Sequence, residues 1–456
     1  MTDPEPLATA QSADDRRAEI ARNEPRNLLV FACYEIVFRI AWIFKTESVI
    51  VPAFVDALTG GAGTVRGWLP MLARVGQSLP PLFYSDRLRD QPLKAKLLRL
   101  TTTLMALPTA AIAWIALAAD GGPQPWMAIA FLGLHVLFFS VTGINQLCVG
   151  TLHGKLLRAD RRGRLMWLGG VIGPILAIAA AWWLLGDWLE GDSPARFMPI
   201  FTFTAAGFIA GSLIALLVKE PVDVLSSEPR QSPLKLLKGA FWVYRSDSGF
   251  RRAANVVMLL TTIVILFPHF QWLARKTLGA ESQRLMVWVV AQNIGVACFS
   301  PFCGSLADRS GNRIVLRLQC VVLAIAPLLA LFIAGPLHAW YPETRLYWVV
   351  FVLLGMAPVT MRTITNYTLE LVQPELHPLY LSTMRICFLI PFVFAPAAGW
   401  LLDISEADPY RGACWLFSGI SLLVAIAGAL TFRMIEPRWI AAAGTSNSAG
   451  EARVES

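Results

Sequence analysis

The strongest constraint in this chain is a succession of apolar runs, each about as long as a helix that crosses a bilayer, which needs ~20 residues. The runs fall at 28–55, 65–84, 98–119, 125–150, 165–186, 197–218, 252–273, 285–306, 314–335, 345–370, 381–402 and 412–434, hereafter spans 1 to 12. Only 15% of the 456 residues are charged, where an ordinary soluble domain has about a quarter. So few charges cannot cover a water-facing surface. The 55% apolar content also excludes a disordered chain. The expected fold class is an all-α integral membrane protein with twelve transmembrane helices.

The charge pattern orients the spans. The net charge is +8, and with the N-terminus inside, 27 of the 39 Lys and Arg fall on inner segments and seven on outer ones. This is the bias that keeps Lys and Arg on the cytoplasmic side. It explains the basic balance without a nucleic-acid partner. Residues 1–27 are polar and lack the basic-then-apolar pattern of a signal peptide. Both termini are therefore expected in the cytoplasm, with the chain in the plasma (bacterial inner) membrane. The seven Cys lie inside apolar runs, without CxxC spacing or His partners. They indicate neither a metal site nor a disulfide framework, and no cofactor is expected.

The two halves repeat. Span 6 runs into Glu220-Pro221 and span 12 into Glu436-Pro437, 216 residues later. Asp187 ends span 5 and Asp403 ends span 11, again 216 apart. Asp86-Arg87 after span 2 and Asp308-Arg309 after span 8 are 222 apart. Such an offset indicates two parallel six-span halves. The expected organisation is a tail at 1–27, a six-helix bundle at 28–218, a linker at 219–251, a second bundle at 252–435 and a tail at 436–456. Within the linker, Ser232-Pro233 reads as a helix start. Leu234, Leu237, Phe241 and Tyr244 then share one face, as in a helix lying at the membrane interface.

The run Gly304-Ser305-Leu306-Ala307-Asp308-Arg309-Ser310-Gly311-Asn312-Arg313 resembles the Gly-x-x-x-Asp-Arg-x-Gly-x-Arg loop of the major facilitator superfamily. The resemblance covers about 28–435. It implies a monomeric two-bundle transporter in which this loop holds the inner ends of spans together when the cavity opens outward. In the first-half copy Asp86 and Arg87 remain, but Leu82, Arg89 and Gln91 replace the two Gly and the final Arg. Gly169, Gly173 and Pro174 of span 5 look like the family's antiporter motif. Physically, the glycines allow close helix approach and Pro174 bends the span.

Polar groups inside spans face a cavity or one another, and are functional candidates by default. Glu35, Arg39, Trp42 and Thr46 share one stripe of span 1 at helical spacing, and Glu35 and Arg39 are spaced to pair. Lys45 and Glu47 lie to either side, near the outer end, where Lys45 can snorkel. The other candidates are Arg74 and Gln77 in span 2, Asn145 and Gln146 in span 4, and His269 in span 7. Gln292 and Asn293 in span 8 and Arg362 and Asn366 in span 10 complete the set. The bland alternative for each is an interhelical hydrogen bond that holds the bundle together.

No GxxxxGK[ST], HExxH or GxSxG motif is present, so a nucleotide-driven pump or a hydrolase is not indicated. The expectation is secondary transport of a small solute by alternating access, driven by protons with Glu35 or Glu47 as carrier. Arg39, Arg74 and Arg362 favour an anionic or carboxylate-bearing solute. Proton-coupled efflux of amphiphilic compounds is the alternative, and a non-transporting receptor or assembly factor on the same scaffold is a third reading.

Overall fold

The computed structural model describes residues 13–435, apart from positions 90, 159–160, 162–164, 166–167, 192, 224–232, 282, 343–344, 374–375 and 406. Among these residues all regular secondary structure is helical. Among the described residues nine helices are long and apolar enough to cross a membrane: Lys94–Gly121, Pro125–Leu156, Pro194–Ala215, Ser248–Leu278, Arg284–Ser310, Asn312–Trp340, Trp348–Glu370, His377–Asp403 and Pro409–Arg433. They occupy the places of spans 3, 4 and 6 to 12. Span 1 is divided into Ala13–Ile43 and Ile50–Thr59, span 2 is Gly63–Arg89, and span 5 is a π turn, Leu168–Ile172, leading into Gly173–Trp188. Span 1 carries Glu35 and Arg39, and span 2 carries Arg66, Arg74 and three prolines. Their polar content sets them apart because these two helices carry much of the polar interior.

Two departures from the sequence reading have physical causes. The helix of span 1 starts at Ala13, so residues 13–27, expected as tail, largely continue it. Polar contacts hold this extension: Glu24 accepts from Arg158 N and Nε at 2.9 and 3.0 Å, and Asn27 bonds both Lys219 N and O. Second, span 1 breaks at 44–49, where the backbone turns on Thr46 and its hydroxyl accepts from Ile50 N at 3.3 Å. The linker helix Pro233–Ser246 buries Ala240 and Val243 and leaves Leu237, Phe241 and Trp242 exposed, as the apolar face of an interfacial helix would be. The smaller residues pack because the helix lies close against span 11, where even Gly239 sits near Leu379.

The Glu-Pro landmark has a structural role. Glu220 accepts from Ala95 N, the first turn of span 3, and from Lys155, both at 2.7 Å. Lys155 also pairs with Asp223 at 2.8 Å, and Lys94 pairs with the same carboxylate. Burial pushes Asp223 up, but hydrogen bonds from the two lysines outweigh it and hold the carboxyl below its ordinary value. The second copy, Glu436-Pro437, lies outside the described residues.

We call the face that carries Ala13, the linker and residue 435 terminal, and the opposite face distal. The halves touch most closely toward the distal face, where spans 2 and 11 cross. A Cβ on Gly399 would collide with the Gly63 carbonyl and lie 3.1 Å from Gly67 Cα. Small residues therefore let the two backbones meet.

Candidate functional site

Between the halves lies a cavity of about 500 Å³, lined from spans 1, 2, 4, 7, 8, 10 and 11 and by Leu323 of span 9. Its polar wall is built across the boundary. Arg39 donates from Nη2 to Asn293 Oδ1 at 2.9 Å. Asn293 Nδ2 donates back to Val289 O at 2.8 Å, which fixes the amide so that its oxygen meets Arg39. Ser48 hydrogen bonds Gln292, the neighbour of Asn293. The break in span 1 brings Ser48 to this contact, because a continuous helix would carry it to another face.

A second chain of contacts runs along spans 2 and 4. Arg74 lies 3.5 Å from Glu47. It donates to Gln77 at 3.0 Å, and Gln77 donates to Gln146 at 3.1 Å. The Arg74 guanidinium also lies 5.7 Å from the ring centroids of Phe388 and Phe392 in span 11. Arg385, one turn before Phe388, completes the cationic lining. The Nε atoms of Arg39 and Arg74 are buried without a hydrogen-bond partner among the described residues. A guanidinium at a cavity wall suits a carboxylate, which takes N–H bonds from it.

Of the remaining candidates, Trp42 lines this cavity. Lys45 does not snorkel. It is 4% exposed, with Nζ 3.6, 4.3 and 4.5 Å from the ring centroids of Trp42, Phe138 and Phe139. Three π faces replace water around the ammonium. Glu35 pairs with His153 at 3.8 Å rather than with Arg39. Gly169 and Gly173 lie against this stripe: a Cβ on Gly169 would collide with Glu35 Oε2, and one on Gly173 would sit 3.4 Å from Arg39 Cβ. Pro174 is buried at the start of the following helix.

Four further candidates lie away from the cavity lining. Asn145 is buried among spans 1, 3 and 4, donating to Thr101 and Thr102 at 3.0 and 2.9 Å and accepting from Tyr34 at 3.2 Å. Its neighbour Gln146, turned ~100° around the helix, faces the cavity instead. His269 is buried and its Nδ1 accepts from Arg66 Nε at 3.1 Å. Arg362 and Asn366 are exposed on span 10 outside the cavity lining.

The loop after span 8 turns at Gly311, whose φ of +79° favours glycine. Gly304, Asp308 and Arg309 are exposed. Arg313 donates to Met434 O at 3.0 Å, fastening the end of span 12. Arg87 is exposed, and the Asp86 side chain lies outside the described residues.

The sequence reading missed the distal closure. Arg66 is 0% exposed and pairs with Asp56, which is 9% exposed. Across the boundary, Gln271 Nε2 donates to Asp56 Oδ2 at 2.7 Å. Asp403 accepts from Gly63 N at 2.5 Å and from Thr64 N at 2.7 Å. Arg66 reads as an outer loop charge in sequence, and Asp56 and Asp403 as the ends of apolar runs. Only their pairing separates them from ordinary surface groups.

A family model described as Major Facilitator Superfamily matches residues 253–452. Among solved structures, a variant of the nucleoside transporter NupG superposes with a TM-score of 0.68 at 13% identity, covering 89% of this chain and 99% of that one. A D-xylose-proton symporter gives 0.64 at 11% identity, covering 90% and 98%. The chain is thus similar to the major facilitator superfamily over its second half. Its two-bundle helical membrane fold is the one these structures share. Uncharacterized proteins of Mycobacterium tuberculosis and Mycobacterium bovis are 24% identical over 72% of this chain. The match spans 62% of the length of those relatives.

Proposed function

We propose that this chain is a secondary active transporter that moves a small organic anion by alternating access, with a proton as its co-passenger. The observation that carries the anion reading is the charge set of the cavity: Arg39, Arg74 and Arg385 against one lining carboxylate, Glu47. A pocket of this kind attracts carboxylates and repels cations. The guanidiniums of Arg39 and Arg74 at the cavity wall supply the contact.

Coupling follows from competition. Glu47 already occupies one edge of Arg74. A substrate carboxylate that takes this edge displaces Glu47, and two anions beside one guanidinium balance only when one carries a proton. The proton thus enters with the anion. On this reading the terminal face is cytoplasmic, as its basic residues imply, and the conformation is inward-open. Opening outward breaks the distal bonds of Asp56 and Asp403, while Asp308, exposed here, takes up its latch.

Uptake of radiolabelled mono- and dicarboxylates into proteoliposomes, with and without a proton gradient, tests this reading. Arg39→Ala and Arg74→Ala are each expected to abolish uptake, and unchanged uptake in both sinks the proposal. The apolar lining of Trp42, Phe267, Met384 and Phe388 favours a second reading, efflux of amphiphilic compounds. Greater drug sensitivity in cells lacking the protein, with no carboxylate flux, selects it.

A further inference from the structure

We infer a second site, separate from the central cavity, that binds the headgroup of an anionic phospholipid on the terminal face of the second half. An open cavity of about 540 Å³ lies between the start of span 7 and the end of span 12, lined by Arg252, Asn255, Leu430, Phe432 and Arg433 together with residues 434 and 435. It shares no lining residue with the central cavity. Both arginines are exposed, and no acidic side chain among the described residues lines it.

The local backbone does not consume this charge. Arg252 gives one bond, from Nη1 to Arg433 O at 3.2 Å. The next two carbonyls are taken from elsewhere: Met434 O by Arg313 at 3.0 Å and Ile435 O by Tyr367 at 2.8 Å. Among the described residues the other N–H groups of Arg252 and Arg433 are left for a ligand. Arg317 adds its charge from behind, stacked 3.6 Å from the centroid of Phe432.

The apolar surroundings select a lipid over a soluble anion. Phe432 is 68% exposed at the mouth. Leu422 and Ile426, exposed on span 12 on the face below Arg433, run away from the terminal face. From residue 433 to 422 a helix runs ~16 Å, about the depth of one leaflet. The phosphate thus meets two guanidiniums while an acyl chain passes Phe432 at the mouth and lies along Ile426 and Leu422. Basic pockets between helices at this level suit anionic headgroups.

Native mass spectrometry of the full chain, titrated with dioctanoyl phosphatidylglycerol, dioctanoyl phosphatidylcholine or inorganic phosphate, tests the site. Wild type is expected to hold phosphatidylglycerol at least about tenfold more tightly than phosphatidylcholine, and Arg252→Gln with Arg433→Gln to remove that preference. Phe432→Ala is expected to weaken the lipid without changing weak phosphate binding. Equal retention of the two lipids, or an unchanged preference in the double variant, overturns the inference. Full displacement of phosphatidylglycerol by millimolar phosphate also overturns it, and identifies a soluble-anion site instead. A variant pair that fails to fold is replaced by Arg252→Gln alone, read by the same preference ratio.

Discussion

Asp403 Oδ2 accepts hydrogen bonds from both the backbone N–H and the hydroxyl of Thr64, at 2.7 and 2.5 Å, across the boundary between the two halves. Its other oxygen takes Gly63 N. One carboxylate of span 11 thereby caps the N-terminus of span 2, where the helix dipole also favours a negative charge. Asp187, its counterpart in the repeat, is exposed.

Removing this cap should release the distal face. Hydrogen bonds to a charged group contribute ~1.5–3 kcal/mol each. Asp403→Ala is expected to raise the distal-side labelling of a cysteine placed at Thr46, at the cavity wall, several-fold. Asp403→Asn should give a smaller rise. Labelling equal to that of the parent cysteine variant counts against the closure.

The glycine contact should act in the same direction by steric means. Gly399→Val drives a side chain into Gly63, and overpacking of this kind costs about 1–3 kcal/mol. The closed distal face loses that energy and the distal-open state does not. The same labelling assay reads the shift, together with a lowered Tm.

Arg39→Ala is expected to weaken anion binding by roughly tenfold to a hundredfold, the loss of one or two charge-assisted bonds. Arg39→Lys should recover only part, because an ammonium cannot present the two-pronged edge. Equilibrium binding of the carboxylate that passes the uptake panel measures both.

Glu47→Gln should uncouple the proton. The amide cannot take up a proton in exchange for Arg74, so uptake is expected to lose its dependence on the proton gradient while counterflow exchange persists. Gradient-driven accumulation equal to wild type removes Glu47 from the coupling step.

On the terminal face, Asp223 links stability to pH. Its folded pKa lies below the ordinary 3.8. Its contribution is therefore present above pH 3.8 and is lost as the pH falls through the folded value. Asp223→Asn is expected to lower Tm at neutral pH, with the gap to wild type closing below about pH 4. A gap of constant size across this range contradicts the pairing with Lys94 and Lys155.

Much of the fold was legible because a membrane imposes a length on every apolar run and a sign on the loops. Arg39, Arg74, Gln292 and Asn293 stood out because polar groups are costly in lipid. The distal closure did not, because Asp56, Arg66 and Asp403 sit where a span is expected to end, and an exposed loop charge has the same spelling. Asn145 and Gln146 are equal candidates in sequence, and only the helix's rotation sends one into the packing of the first half and the other into the cavity.

The sequence by itself determined the helical membrane class, the two related halves and the identity of the costly interior charges, since these follow from hydropathy and repeat spacing. The tertiary structure decided the partners. It gave Glu35 to His153, Glu47 to Arg74, Arg39 to Asn293 and Lys45 to three aromatic rings. These are contacts between different helices, or around a break in one, and periodicity along a single helix carries no information about either.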